Sequence, residues 1–130
     1  MDYKMSASPS TIPALIDFTS ALGEPVLDHP REDRRVAGIP DRHTWELYEK
    51  PGCSIGIWSC TPGAWRIAFP PTREEYFHVL EGRLRITSAT GDARTFGPGE
   101  ACVIPAGFEG VFEVIETVRK HYVLIDRAES

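Results

Sequence analysis

The 130-residue chain is poor in the features that mark several large classes of protein. It has three cysteines, Cys53, Cys60 and Cys102, an odd number with no C-x-x-C pair. That argues against a disulfide framework and points to a reducing compartment. No apolar run approaches the roughly 18 residues of a spanning helix, and no charged-then-apolar leader opens the chain. A cytoplasmic protein without membrane contact is therefore expected. There is no basic stripe, and the net charge of -5 gives nucleic acid no electrostatic footprint. The length allows one domain.

What the chain does have is punctuation. Eleven glycines and eleven prolines sit between short apolar runs in a sequence that is 42% hydrophobic, a composition that suits many short strands and tight turns. From Thr44 onward the apolar period is two. Alternating stretches run over 45–49, 54–60, 64–69, 76–80, 83–87, 93–96, 101–104, 110–116 and 120–125. Pro51-Gly52, Thr61-Pro-Gly63, Pro70-Pro71 and Thr90-Gly91-Asp92 supply turns between them. Glu81-Gly82 reads as a hairpin or a bulge. Some nine strands with regular turns predict an all-β sandwich or barrel.

The first 40 residues read differently, as an N-terminal arm and connection ahead of a barrel over 41–130. Residues 1–13 are small and polar, a loose arm. The three-four spacing of Leu15, Phe18 and Leu22 predicts one short helix over 14–22. A proline-punctuated charged connection follows, closing on a short strand at Arg35–Ala37.

Two segments carry a family resemblance. Glu75-Tyr-Phe-His-Val-Leu-Glu-Gly82 and Gly99-Glu-Ala-Cys-Val-Ile-Pro-Ala-Gly107 have the spacings Glu-x6-Gly and Gly-x5-Pro-x-Gly. With Gly56-Ile-Trp58, Thr61-Pro-Gly-Ala-Trp65, Phe96-Gly-Pro-Gly99 and Glu116-Thr-Val-Arg-Lys120, they make roughly 52–126 resemble a single cupin barrel, the jelly-roll double-stranded β-helix of the RmlC-like superfamily. The branch it most resembles is the small stand-alone cupins related to the cupin domain of (S)-ureidoglycine aminohydrolase. The resemblance implies a site of three histidines and one glutamate around a divalent metal. Here only Glu75 matches. The paired histidine positions fall among Phe69, Pro70, Pro71 and Thr72, and the last falls on Gly110. The expectation is therefore a metal-independent cupin with no cofactor. A rebuilt metal site would have to use Glu75, His78, Cys102 and His121, and His78 lies on the opposite strand face from Glu75.

The resemblance also implies an open barrel mouth that takes a small molecule. The mouth is expected near 69–75, with Glu75 as acid or base and Arg73, Arg66, Trp65, Tyr76 and His78 as ligand-binding residues. Burial raises the pKa of a carboxyl unless a cation pairs with it, and such a group can act in acid–base chemistry. The plainer alternative is an ion pair of Glu75 with Arg73 or Arg66 that only pins the loop. Arg119-Lys120-His121 reads as a solvated edge rather than an anion site. The expected function is binding of a polar small molecule. The alternatives are an enzyme on a small nitrogenous or carbonyl acid, of aminohydrolase type, or a metal-independent epimerase or isomerase using Glu75 with Tyr76, His78 or Tyr122. Unpaired sheet edges and an apolar arm (Ile12, Leu15, Ile16, Phe18) suggest a homodimer.

Overall fold

The computed structural model describes residues 11–127. Nine strands form one curled sheet: β1 (Val26–Asp28), β2 (Arg35–Ala37), β3 (Arg42–Lys50), β4 (Cys53–Cys60), β5 (Gly63–Ala68), β6 (Arg73–Ser88), β7 (Ala93–Phe96), β8 (Ala101–Ile104) and β9 (Glu109–Asp126). The path runs β1-β3-β4-β9-β5-β2, and β6 pairs with β7, β8 and β9. All pairings are antiparallel. This is the all-β architecture expected from the spacing of turns and glycines, and it is in keeping with the jelly-roll barrel that the cupin resemblance implies.

The long strand β9 organises the molecule. Its first part pairs with β5, from Ala68↔Glu109 to Gly63↔Val114. Its second part pairs with β4, from Cys60↔Val118 to Cys53↔Ile125. Its other edge pairs with β6 over nearly the whole length. Period-two patterning turns one face of these strands inward. Phe77, Val79, Leu84 and Ile86 from β6 meet Phe112, Val114 and Val118 from β9, with Cys60, Trp65 and Ile104, to form the buried core.

Glu81-Gly82 is a bulge within one 16-residue strand, not a hairpin. Its effect is a change of parity. Phe77 and Val79 face inward before it, and Leu84 and Ile86 after it. The extra residue lets both halves of β6 present apolar side chains to the same core.

The N-terminal region contributes more than a connection. Residues 26–37 supply two strands, β1 on β3 and β2 on β5, and the strand expected at Arg35–Ala37 is β2. A 3-10 turn, Glu32–Arg34, precedes it. The helix expected over 14–22 does not form. Asp17 instead accepts from the backbone N–H and hydroxyl of Thr19 and from the hydroxyl of Ser20, a local arrangement that competes with helix. Phe18 packs edge-on against the chain's own His121, and Trp45 Nε1 donates to the Gly23 carbonyl at 2.9 Å, so this segment lies on the outer face of the chain's own sheet. The first ten residues of the arm lie outside the described residues. Among the described residues no helix is long and apolar enough to cross a membrane.

Candidate binding cavity

The inward face of the sheet is not filled at its open end. A cavity of about 530 Å3 remains, walled by residues of β1, β3, β4, β5, β6, β8 and β9. Its size falls in the range of roughly 300–1,000 Å3 usual for small-molecule sites.

One wall is aromatic. Trp65 stacks on Phe112 with ring centres 5.1 Å apart, and Trp58 meets Phe112 edge-on at 5.7 Å. Most of the polar groups come as two ion pairs and one set of three. Lys120 Nζ donates to Glu75 Oε2 at 2.7 Å. Arg42 holds Asp28 with two bonds, 2.9 and 2.7 Å, and its guanidinium lies 5.3 Å from the centre of the Trp65 ring. Ser54 donates to Glu46 at 2.6 Å and lies 3.5 Å from the Tyr122 hydroxyl. Burial is the main cause that raises the Tyr122 pKa, so this phenol stays protonated.

Lys120 stands out. It is 4% exposed, the buried charged residue among those described. Its ammonium faces the rings of Phe77, Trp58 and Phe112 at 4.5, 4.6 and 5.0 Å. Cation–π attraction and the Glu75 carboxylate together offset its loss of water. The expectation of a solvated edge at Arg119-Lys120-His121 fails for this residue. On an inward-facing strand Val118, Lys120, Tyr122 and Leu124 share one face, so lysine is carried to the cavity by parity. That alternation was the available signal, and the three adjacent basic residues masked it.

Glu75 and Trp65 line the cavity. Glu75 takes Lys120 as its partner, not Arg73 or Arg66. Arg73 bonds Asp126 at 3.1 Å instead, and Arg66 donates to the Asp33 carbonyl. Tyr76 is exposed. His78 lies opposite His121 on the neighbouring strand, with ring centres 6.4 Å apart, on the face turned away from Glu75. Sequence reasoning missed Lys120, Arg42 and Asp28 as members of the site. Nothing local in 26–28 announces that β1 will reach the cavity.

The metal that the cupin resemblance implies does not fit these residues. Among the described residues no group of three or more His, Cys, Asp or Glu side chains is placed to hold an ion. The matching carboxylate, Glu75, already meets an ammonium.

Comparison with known proteins places the chain in a family. The model of the EutQ-like cupin domain matches residues 49–122. The chain belongs to the EutQ-like cupin domain family. This EutQ-like cupin is also 35% identical, over 82 residues, to a pyrimidine/purine nucleoside phosphorylase of Nocardia farcinica, covering 62% of the chain and 74% of that protein. Among solved structures it resembles a protein of unknown function of the DUF861 family from Pseudomonas syringae pv. tomato, with TM-score 0.71 and 23% identity over 84% of the chain. It spans 46% of that protein, about half its length. The Clostridium difficile EutQ protein follows with TM-score 0.60 and 22% identity, covering 67% of this chain and 64% of that one. A EutQ protein from Salmonella typhimurium has TM-score 0.61 and 16% identity, covering 84% and 100%. At these identities the structural likenesses establish a shared fold. Residues 26–42, which bring Asp28 and Arg42 to the cavity, precede the matched segment.

Proposed function

We propose that this EutQ-like cupin binds a small, flat, polar molecule in its cavity without a metal. The observation that carries the reading is the buried Lys120–Glu75 pair set beside an aromatic wall in an open cavity. Trp58, Trp65 and Phe112 offer apolar surface to a ring. Lys120 offers an ammonium to a carboxylate or carbonyl oxygen, and Glu75 an acceptor to an N–H or O–H. Three free cysteines are in keeping with a reducing cytoplasm. Saturation-transfer NMR against a library of small heterocycles and acids is expected to give hits that Lys120→Met loses. A library without a single such hit would sink the reading.

A second reading is favoured by the Nocardia relative: phosphorolysis of a nucleoside, with the base against the aromatic wall. Incubation with uridine or inosine and inorganic phosphate, followed by chromatography, tests it. Release of free base that depends on phosphate supports it, and intact nucleoside rejects it. The aminohydrolase activity implied by the ureidoglycine branch has less support, because that chemistry calls for a bound metal to polarise the substrate and the donor set for one is not assembled.

A further inference from the structure

A second, smaller cleft of about 210 Å3 adjoins the cavity and shares Arg42, Trp65, Ile67 and Phe69 with it. Five arginines line it, Arg31, Arg34, Arg42, Arg66 and Arg73, and no acidic side chain does. In a chain of net charge -5 with 14 basic residues, this is a local excess of positive charge, although Asp33, Asp28 and Asp126 pair with Arg31, Arg42 and Arg73 from outside the lining. We propose that the arginine cleft is an anion subsite for a phosphate group, continuous with the aromatic cavity. The bipartite site rests on the reading that the cavity takes a flat polar ligand. The phosphate subsite itself stands on the cleft alone.

The arginines are held but not used up. Arg31 bonds Asp33 through Nε and Nη2, Arg42 uses the same two nitrogens on Asp28, and Arg73 uses Nε on Asp126. Arg66 donates through Nη2 to the Asp33 carbonyl. In each of these four, Nη1 has no partner among the described residues. Arg34 makes no side-chain hydrogen bond or ion pair among them. A guanidinium presents five N–H donors in a rigid fork that matches a phosphate oxygen pair. Forks anchored from behind lose less entropy on binding an oxyanion in front of them. At about 30 Å3 per water the cleft has room for a tetrahedral oxyanion with several waters. The shared wall of Arg42 and Trp65 places such an anion next to whatever ring lies on Trp65 and Phe112. Three of the five arginines, Arg31, Arg34 and Arg42, precede the segment matched by the family model, residues 49–122, so the N-terminal region supplies most of the cleft's positive charge while β5 and the start of β6 supply the rest of its wall.

Titration of the full chain with inorganic phosphate at low ionic strength, by calorimetry and thermal shift, tests the subsite. Sodium chloride at matched ionic strength is the control. Saturable binding of phosphate is expected, together with at least a tenfold loss of affinity in Arg34→Ser/Arg66→Ser, neither of which lines the larger cavity. Phosphate that acts no differently from chloride, or a double variant that binds it as well as the parent chain, overturns the proposal. Uridine and uridine 5′-monophosphate separate the sources. Tighter binding of the monophosphate, competed by inorganic phosphate, marks a phosphoester ligand, whereas independent binding of uridine and phosphate marks free phosphate as a separate ligand. Phosphate binding with no uridine binding leaves the subsite standing and counts against a nucleoside in the cavity.

Discussion

Lys120 and Glu75 show how one buried pair can govern both stability and recognition. With side-chain exposures of 4% and 14%, neither charge can recover bulk water when its partner is removed. Breaking a buried pair by removing one member costs about 3–5 kcal/mol, whereas replacing both members with apolar groups is often neutral. Glu75→Gln is therefore expected to destabilise the chain by about 3 kcal/mol, read as a drop in the urea midpoint with unchanged slope. Glu75→Leu/Lys120→Met should recover most of that loss while abolishing any ligand that uses the pair. If the double variant is as unstable as the single one, the pair is not the coupled unit described here. At this scale the sequence was partly legible. Glu75 was identifiable from its place in the Glu-x6-Gly spacing, and Trp65 as a candidate wall. Lys120 was not, because a charged residue between Arg119 and His121 looks solvated until the strand's parity is fixed. Arg42 and Asp28 were not, because their meeting depends on two strands 14 residues apart in the chain.

The strands themselves were mostly legible, since their alternation and turn residues are local signals. What local signals could not give is continuity across a defect. The sequence splits β6 at Glu81-Gly82 and β9 near 117–119, yet each is one strand, 16 and 18 residues long. The β6 break is absorbed by a bulge at which Gly82 takes φ +79°, and a Cβ there would lie 2.0 Å from the Thr117 carbonyl oxygen. Gly91 also has positive φ, but open space surrounds it. Gly91→Ala should therefore cost about 1–2 kcal/mol, the left-handed penalty alone. Gly82→Ala adds a backbone collision to that penalty and is expected to cost more, about 3 kcal/mol or above. Thermal unfolding of the two variants compares them directly, and equal shifts would contradict the assigned role of the bulge. The helix expected over 14–22 failed for a reason equally local. Three apolar residues at helical spacing were outweighed by an aspartate that satisfies Thr19 and Ser20 in a turn.

Taken whole, the molecule is a curled sheet whose path ends at two three-residue strands, β1 and β2. Val26, Leu27, Val36 and Ile39 are exposed on and beside these edges. Unpaired apolar edges favour association, so a homodimer is expected by light scattering, and a clean monomer at micromolar concentration would refute it. The response of the whole fold to pH follows from groups on opposite faces of the sheet. On the outer face, burial lowers the His121 pKa, with smaller contributions from His78 and Arg119. An unfolded histidine therefore takes up its proton at higher pH than the folded one. Below about pH 6.5 the unfolded state binds more protons, so this contribution to stability is full above that pH and declines as pH falls through the depressed folded value. On the inner face the direction reverses. Burial raises the Cys60 thiol to about 12 and raises Tyr122 as well. The folded state keeps protons that the unfolded chain releases, and stability declines as pH rises above about 8.5. Urea midpoints measured across pH should trace a plateau with two falling limbs. His121→Gln should flatten the acid limb between pH 6.5 and the onset of carboxylate protonation, and leave the alkaline limb in place. An acid limb that survives this substitution unchanged would show that the loss arises elsewhere in the sheet.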